Sequence, residues 1–490
     1  MTSTHVIHEI EPVYDKNSRV LLLGTMPSPK SRETGFFYGH PQNRFWEVLA
    51  ILFDEPTPET VEEKRDLCLR HHIALWDVVE SCDIEGASDA SIKNAKPNDL
   101  ARILNAAPIQ AVFTTGTKAG QLYKKLCEPV TSIPCTVLPS TSPANSRVSL
   151  PELCTAYKQA LSPYLEFDPE YPVLDVPEVV RLEQSIASSG TSLYTLMHRA
   201  GRFLAYEAKK YLEQESCHRE SEHNGTTHNK TECSETNRNE PERDEAASDQ
   251  NQFHTPMPNQ LHVSILCGHG NNGGDGWVAA DYLAKAGYHV DLISSVSAQE
   301  IKAEPAHTTA CEIEREIECD IKHEIDCNTE REIKCEIERD SERKIKGKAG
   351  RKTITSPKSK QAIRLLINPT NEEVEASLSK ADLIIDAILG TGFSGDTVRE
   401  PFSTWITLTN QQKAREEVCN TNPTHSTRNA CIIAADVASG FSAQIGTAAT
   451  PCIVADHTVT MITLKTGLVQ PNAKTYCGTI RVAPLALFDL

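Results

Sequence analysis

The sequence predicts an α/β protein built from two three-layer domains. Short apolar runs alternate with longer amphipathic stretches, this alternation occurs twice along the chain, and glycine-bearing polar turns follow several of the apolar runs. Such alternation indicates parallel strands joined by covering helices. A chain of 490 residues is also long enough to bury more than one core.

The first domain is predicted over residues 15–165. Its apolar runs are short enough for buried strands, and the stretches between them carry helical periodicity. We predict strands at 20–23, 111–115 and 136–138 and helices at 45–53, 97–105 and 150–161. The acidic, proline-bearing segment 166–177 is predicted to be a linker.

The second domain is predicted over residues 174–490 as a Rossmann-like α/β unit with two disordered insertions. The first insertion, at about 213–260, is rich in Glu, Asn, Thr, Ser and His. It is expected to be disordered because it buries too little apolar surface to offset the entropy of ordering.

The second insertion, at about 295–360, carries an eight-residue repeat. The repeats begin at Cys311, Cys319, Cys327 and Cys335. Their apolar positions fall on odd numbers, which is strand alternation, and an eight-residue period maintains no helical stripe. Cysteine ligands of a metal normally come in pairs two to four residues apart, so the repeat favours a low-complexity insertion over a metal site.

Composition and charge restrict the function classes. The 16 cysteines are scattered without close pairs and indicate reduced thiols. A net charge of -18 argues against a surface that binds polyanions as a whole, although a local basic patch remains open. No apolar run has the roughly 18 residues of a membrane helix, and the N-terminus has no signal core, so we expect a cytoplasmic protein without membrane contact.

A glycine-rich turn at residues 270–276, GNNGGDG, follows an apolar strand and opens an amphipathic helix. Glycines permit close approach of a ligand, and the free N–H groups at a helix start attract phosphate. Asn271, Asn272 and Asp275 add polar side chains that a structural turn does not require. The sequence therefore predicts a phosphate-binding centre at this turn.

Two further strands also end in polar turns. DLIIDAILGTG places Asp386 at one strand end, and CIIAADVASG places Asp436 and Ser439 at another. The carboxyl ends of parallel strands meet at one edge, so these side chains can converge with Asn272. Their oxygens suit a hard cation, and the alternative is that each aspartate only caps the following helix.

Together, LMHRAG, GNNGGDG, DAILGTGFSG, DVASG and TLKTGL resemble the NAD(P)H-hydrate epimerases, the YjeF N-terminal domain family. The resemblance implies epimerisation of the R and S forms of hydrated NADH and NADPH, NADHX and NADPHX, with Asp436 as acid/base. It implies one potassium ion bound by Asn272, Asp386 and Ser439. The implied substrate-binding residues are Asn271, Asn272, Gly273, Gly274, Asp275, Gly390, Thr391, Gly392, Phe393, Ser394, Gly395, Asp396 and Asp436.

Lys465, in TLKTGL, is a candidate contact to a substrate phosphate or hydroxyl, and a solvated lysine is the alternative. Inversion at the hydrated carbon requires proton shuttling and stabilisation of a planar cation, which suit a carboxylate at Asp436. Ala438 stands where the family has proline, and His198 where it has an acidic or amide residue. The family's dehydratase partner is expected to be encoded separately, and a homodimer is a further possibility.

In the first domain, an aromatic loop, GFFYGHPQNRFW, follows the GTMPS turn. Stacking rings near Asn43 and the hydroxyl-rich loop LPSTSPAN are the components of a pocket for a flipped base. Phe36, Phe37, Phe45 and Trp46 are equally compatible with an ordinary core. The residues alone therefore leave both interpretations open.

These motifs, with ALWDVVESC and SIKNAKPND, resemble the DNA-deoxyinosine glycosylases, the hypoxanthine branch of the uracil-DNA glycosylase superfamily. The resemblance implies excision of hypoxanthine from double-stranded DNA, with uracil as an alternative base. It implies a reaction without a metal or an iron-sulfur cluster. Asn43 matches the catalytic asparagine, expected to position water or bind the base. The implied pocket residues are Gly24, Thr25, Met26, Pro27, Ser28, Phe37, Tyr38, Ser140, Ser142 and Asn145.

The predicted DNA face is a local patch, since residues 1–165 carry a net charge of 16 - 19 = -3. Its candidates are Lys30, Arg32, Arg44, Lys93, Lys96 and Arg147. The competing hypotheses are a general nucleic-acid binder for the first half and a non-catalytic nucleotide sensor or protein-binding module for the second.

Overall fold

In a computed structural model, two compact units are present: the first ends at Tyr171 and the second runs from Pro172 to Leu485. The residues described are 4–86, 88–167, 170–225, 261–328, 352–355, 362–413 and 430–486. Both units are α/β with largely parallel central sheets, which confirms the predicted class. No helix among the described residues has the length and apolarity to cross a membrane.

The first unit follows the predicted alternation of strands and helices. Its elements are β1 (Thr4–Ile7), β2 (Val20–Gly24), α1 (Pro29–Thr34), α2 (Phe45–Phe53), α3 (Val61–Arg70), β3 (Ile73–Asp77), β4 (Val79–Ile84), β5 (Lys93–Pro97), α4 (Ala101–Leu104), β6 (Ala111–Thr115), α5 (Thr117–Leu126), α6 (Glu128–Thr131), β7 (Cys135–Leu138) and α7 (Leu150–Leu161). The helix predicted at 97–105 is shorter, because Pro97 ends an antiparallel edge strand and helical structure starts only at Ala101.

The parallel sheet of the first unit has the order β3-β2-β6-β7, and β1, β4 and β5 form a separate antiparallel sheet. The chain leaves β2 to one side for β3 and to the other for β6. A strand order that reverses in this way opens a crevice at the carboxyl ends of the strands. Gly24, Asp77 and Thr115 end these three strands at that edge.

The second unit is larger and contains the remaining elements. They are β8 (Val173–Leu174), α8 (Val176–Ser188), α9 (Leu193–Gly225), β9 (His262–Cys267), α10 (Asn271–Lys285), β10 (His289–Ser294), α11 (Ala306–Asn328), β11 (Lys352–Thr355), β12 (Ala362–Ile367), α12 (Asn371–Leu378), β13 (Leu383–Ala387), α13 (Phe402–Gln411), β14 (Cys431–Ala435), β15 (His457–Met461), β16 (Leu464–Lys465), α14 (Ala473–Cys477) and β17 (Thr479–Ala483).

The eight-stranded sheet of this unit has the order β11-β12-β10-β9-β13-β14-β15-β17 and is parallel except for the edge strand β11. Its strand order reverses between β9 and β13. Leu266 of β9 packs in one core with Val374 and Trp405 of α12 and α13. The neighbouring Ile265 and Cys267 face Gly276 of α10, so helices cover both faces.

Helical structure extends into both predicted insertions. Helix α9 continues to Gly225, because its buried residues up to Leu212 keep helical spacing and the polar tail beyond them is rich in helix-forming Glu. Residues 226–260 lie outside the described part of the chain.

The repeat region is also helical where the structure describes it, in α11. Ala306, Ala310, Ile313 and Ile317 are buried, and their spacing of four, three and four residues places them on one helical face. Odd-numbered positions include the i, i+4 relation, so the strand interpretation of these repeats is wrong for Cys311 and Cys319. The repeat beginning at Cys335 lies outside the described residues.

Candidate active sites

A cavity of about 770 Å³ opens at the reversal point of the large sheet. Its walls are the turn that starts α10, the loop after β13, the end of β14, and residues of α8 and α9. The predicted residues that line it are Asn271, Asn272, Asp275, Gly390, Thr391, Gly392, Phe393, Ser394 and Asp436. The fold therefore brings together turns that are far apart in sequence.

The glycine-rich turn forms the first turn of α10. Gly270 precedes the helix and no side chain caps it, so first-turn N–H groups are available at the cavity wall. Gly273 and Gly274 differ from the prediction, because both are buried and do not line the cavity. A Cβ on Gly273 would lie 2.0 Å from the Gly268 carbonyl oxygen, so this glycine serves packing.

The loop after β13 is only partly a wall of the cavity. Gly395 and Asp396 were expected to contact substrate, but both are exposed and lie outside the lining. Gly395 adopts φ +145°, and the Asp396 carbonyl accepts a hydrogen bond from Thr450 N. The cavity-facing part of this loop is therefore residues 390–394.

Asp436 is held in a left-handed backbone conformation, φ +63°, directly after β14. Its Oδ1 accepts hydrogen bonds from Lys465 Nζ at 2.7 Å, Met461 N at 3.2 Å and Thr460 Oγ1 at 3.3 Å. Within the described residues Oδ2 accepts none. The strained turn and three donors thus orient one oxygen and leave the other for a ligand.

Lys465 is not a direct substrate contact in this arrangement. Its side chain is 1% exposed and is absent from the cavity lining. Besides Asp436, its ammonium donates to Thr460 Oγ1 at 2.9 Å and to Met461 O at 2.6 Å, which uses all three protons. Lys465 is therefore neither the expected contact to a phosphate or hydroxyl nor a solvated lysine. It is a buried cation that bonds Asp436.

Two further carboxyl groups share the cavity with Asp436. Burial, with Asp436 and Glu183 nearby, raises the pKa of Asp275 well above its usual range. Burial and Asp436 raise the pKa of Glu183 to about 7, against the opposing effect of Lys465. Like charges held together cannot all ionise, so the cluster keeps protonated members beside an ion-paired Asp436.

Glu183 was not predicted from the sequence. It lies on α8, in a helix whose polar positions carry no motif, and only the packing of α8 places it in the cavity lining. No local signal marks it as a site residue beside Glu178, the exposed glutamate of the same helix.

Asp386 and Ser439 join the ends of β13 and β14. Ser439 N donates to Asp386 Oδ2 at 2.8 Å and Ser439 Oγ to Asp386 Oδ1 at 2.5 Å. Burial raises the pKa of Asp386 to about 6, even though these bonds oppose the shift. Asn272 packs on Gly390 nearby, and neither its Oδ1 nor its Nδ2 has a hydrogen-bond partner although both are buried.

The first unit has its own cavity, of about 590 Å³, at the reversal point of its sheet. All the predicted pocket residues line it. They are Gly24, Thr25, Met26, Pro27, Ser28, Phe37, Tyr38, Asn43, Ser140, Ser142 and Asn145.

The aromatic loop supplies one wall of this cavity. Tyr38 stacks on Phe45, with centroids 3.8 Å apart, and its hydroxyl bonds Thr115 Oγ1 at 2.9 Å. Burial, then the nearby Asp77 carboxyl, raises the pKa of Tyr38 well above its usual range, so the phenol stays neutral. Tyr38 also lines the cavity, where an aromatic ring is a suitable stacking partner for a planar ligand.

Asn43 lines the same cavity. Its Oδ1 accepts hydrogen bonds from Phe45 N at 3.0 Å and from Thr141 Oγ1 at 2.9 Å. A backbone N–H can only donate, so this bond fixes which amide atom is oxygen. The Nδ2 group, without a partner among the described residues, is the atom that can meet a ligand.

The predicted basic patch is partly structural. Arg44 donates to the carbonyl oxygens of Val148 and Asn145 at 2.6 and 2.9 Å and so holds the 140–148 loop against α2. Arg32 lines the cavity while donating to the Pro27 carbonyl at 3.0 Å.

Two protein-family models match the chain, one in each unit. The family model of the YjeF-related protein N-terminus matches residues 193–467, and that of the uracil DNA glycosylase superfamily matches residues 11–162.

Individual relatives match one unit each. The hypoxanthine DNA glycosylase of Methanosarcina acetivorans is 34% identical over 139 residues, which cover 28% of this chain and 87% of that one. The NAD(P)H-hydrate epimerase of Pirellula staleyi is 26% identical over 46% of this chain and 73% of its own. The solution structure of a putative uracil DNA glycosylase from Methanosarcina acetivorans is 28% identical, with a TM-score of 0.28, over 32% of this chain and 98% of that one. The chain therefore belongs to the YjeF N-terminal domain family and, through its first unit, to the hypoxanthine branch of the uracil DNA glycosylase superfamily, as a fusion of the two.

Proposed function

We propose that the second unit epimerises the R and S forms of hydrated NADH and NADPH. The observation that carries this proposal is Asp436, whose Oδ1 is tied to Lys465 while Oδ2 is left for a ligand in the cavity. A non-catalytic nucleotide sensor would not need an ion-paired carboxylate in a strained turn at this place.

Two of the three cavity carboxyls, those of Glu183 and Asp436, act in different steps of the proposed reaction. Glu183, with a pKa of about 7, can donate a proton to the hydroxyl of the hydrated ring carbon, which then leaves as water. Asp436 stabilises the planar cation that remains. Water adds to either face of that carbon and returns its proton to Glu183, so both epimers form and no atom is gained or lost.

Substrate phosphates would bind the first turn of α10, whose N–H groups lack side-chain caps. The nicotinamide end would then lie toward Asp436 and the loop 390–394. The roles of Asn271, Asn272 and Asp275 in this binding stay predictions.

A potassium ion fits the residues near Asn272. The buried amide oxygen of Asn272 has no partner, and Asp386 and Ser439 contribute oxygens at the neighbouring strand ends. Oxygen donors suit a hard cation, whose charge would offset the raised pKa of Asp386. When bound, the ion would supply positive charge beside the phosphate-binding turn.

Turnover of hydrated NADH by the full chain tests the epimerase proposal. Wild-type protein is expected to accelerate R/S interconversion, and Asp436→Asn to reduce kcat by about 100-fold or more. Unaccelerated interconversion by folded wild-type protein would refute the proposal.

We propose that the first unit excises deaminated bases, hypoxanthine first, from double-stranded DNA. The carrying observation is the cavity in which Tyr38 offers a ring face and Asn43 an unpartnered amide donor. Hypoxanthine presents acceptor atoms at O6 and N7, as guanine does, and these match an N–H donor.

Cleavage of a deoxyinosine duplex, scored as abasic sites, tests this activity. Wild-type protein should produce abasic sites and Asn43→Ala should not. A general nucleic-acid binder would shift the duplex in a binding assay and leave it uncut.

We further propose that a dehydratase consumes the epimerised cofactor and that the protein works in the cytoplasm. A homodimer stays an expectation.

A further inference from the structure

A buried imidazole–carboxylate pair lies against the cavity of the first unit and has no part in the functions proposed so far. His8 Nε2 lies 2.9 Å from Asp77 Oδ2, and the two side chains are 1% and 7% exposed. Asp77 is the last residue of β3 and lines the same cavity as Asn43.

Asn43 is a poor acceptor for the proton of an attacking water. Its Oδ1 already accepts two hydrogen bonds, from Phe45 N and Thr141 Oγ1. An amide oxygen has two lone pairs, so its capacity is filled. Asn43 can donate to the base, and the water needs a different acceptor.

Asp77 has an oxygen that can accept the proton of the attacking water, which Asn43 lacks. Its Oδ2 is used by His8, but Oδ1 accepts no hydrogen bond from the described residues. That oxygen lies over Gly24, where an added Cβ would approach it to 2.1 Å. The glycine of the GTMPS turn thus makes room for a carboxylate oxygen at the cavity wall.

The orientation of His8 is also determined by its partners. Its Nδ1 accepts a hydrogen bond from Ile10 N at 3.2 Å, so the ring proton lies on Nε2 and is donated to Asp77. Both ring nitrogens are thereby committed, and the imidazole fixes the rotamer of the carboxylate.

A second buried pair in this unit shows what a structural pair looks like. Glu55 bonds His71 through Oε1 at 2.7 Å and Arg70 through Oε2 at 2.5 Å, so both oxygens are occupied. Neither Glu55 nor His71 lines the cavity. The Asp77 pair differs in its unoccupied oxygen and in its place.

We propose that Asp77 is a catalytic residue of base excision and that His8 is its positioning residue. This inference rests on the proposed glycosylase function. The substrate class is a purine deoxynucleotide flipped into the cavity, with its base toward Asn43 and Tyr38 and its sugar toward Asp77.

The reaction balances with these groups. The bond from C1′ to N9 breaks with its electron pair on the base, and the anionic Asp77 stabilises the cationic sugar. Water bonds to C1′ and gives a proton to Asp77 Oδ1, and that proton reaches the departing base through solvent. The products are hypoxanthine and an abasic sugar.

Single-turnover cleavage of a deoxyinosine duplex by the full chain tests the proposal. Asp77→Asn should slow excision about 100-fold, while the dissociation constant for an uncleavable 2′-fluoro-deoxyinosine duplex changes less than about threefold. His8→Leu should slow excision about tenfold, and His8→Gln, which keeps an N–H donor, should restore part of the rate.

Glu55→Gln is the matched control, because it alters a buried carboxyl–histidine pair away from the cavity. It should leave the excision rate within about threefold of wild type. If Asp77→Asn excised hypoxanthine at the wild-type rate, the catalytic role of Asp77 would be refuted while the glycosylase function would stand. Equal losses of rate in Asp77→Asn and Glu55→Gln would refute that role as well. Wild-type protein that cuts no duplex would instead refute the glycosylase function.

Discussion

Replacing Lys465 with methionine tests the arrangement of the epimerase site most directly. Methionine has a similar length but removes the cation that bonds Asp436 at 2.7 Å. It also removes the Lys465 hydrogen bond to Thr460 Oγ1 and one of the two hydrogen bonds that Met461 O accepts, the other being from Thr463 N. The side chain is 1% exposed, so water cannot replace the lost bonds. Removing one partner of a buried ion pair costs about 3–5 kcal/mol.

The expected consequences are loss of stability and loss of catalysis without loss of binding. At about 2–4 °C per kcal/mol for a unit of this size, the melting temperature should fall by about 10 °C. Loss of the Lys465 bond frees the Asp436 carboxylate to rotate out of its position beside the reacting carbon, so kcat for hydrated NADH should fall about 100-fold. KM should change less than about threefold, because Lys465 does not line the cavity.

Calorimetry and steady-state epimerase kinetics on the full chain measure both effects. Lys474→Met, at an exposed lysine of the same unit, is the control and should match wild type. If Lys465→Met raised KM tenfold with kcat and melting temperature unchanged, Lys465 would be a phosphate contact and the buried-cation argument would be wrong.

Three further predictions concern the same unit. Burial and Asp436 raise the pKa of Glu183 from 4.5 to about 7, so the folded state holds a proton whose stabilising effect is lost as pH rises from about 5 to about 8. The free energy of unfolding of Glu183→Gln, measured with denaturant, should therefore rise by about 2 kcal/mol relative to wild type between those two pH values. A difference that does not change with pH would contradict the raised pKa of Glu183. Wild type should melt higher in potassium chloride than in choline chloride while Asn272→Ala loses that difference; equal wild-type melting in both salts would exclude the ion. Gly201→Ala should cost about 1–3 kcal/mol, because its Cβ would lie 2.4 Å from Val278 Cβ, whereas Gly392→Ala, in open space, should cost under about 1 kcal/mol; equal melting of the two variants would contradict the packing argument.

Local sequence patterns were sufficient for the class of both units and for several site positions. Alternating apolar runs and amphipathic stretches predicted parallel sheets, because strand and helix periods depend on neighbouring residues. The strand-end rule predicted that Asn272, Asp386 and Asp436 meet at one edge, and Asp386 is indeed hydrogen-bonded to Ser439 of the adjacent turn. The functional roles of these residues stay predictions.

Asp77 also ends a buried strand, as Asp386 nearly does, but its local sequence does not mark it as a site residue. What distinguishes Asp77 is its hydrogen bond with His8. His8 lies before β2 in the sequence and contacts Asp77 only in the folded unit. The strand prediction for the repeat at Cys311 is wrong for a related reason. Its odd-numbered apolar positions fit both a strand and a helix, and the burial of Ile313 and Ile317 on one face of α11 shows that the helix forms.

Motif and period, read along the chain, were thus enough for the two folds, the glycine-rich turn and the positions of Asn43 and Asp436. Folding decided which atoms of those residues remain available. Lys465 occupies one oxygen of Asp436, Phe45 N and Thr141 fill the oxygen of Asn43, and α8 brings in Glu183. Hydrogen-bond saturation, burial and proximity of charges depend on contacts between distant segments, and for that reason no local pattern predicts them.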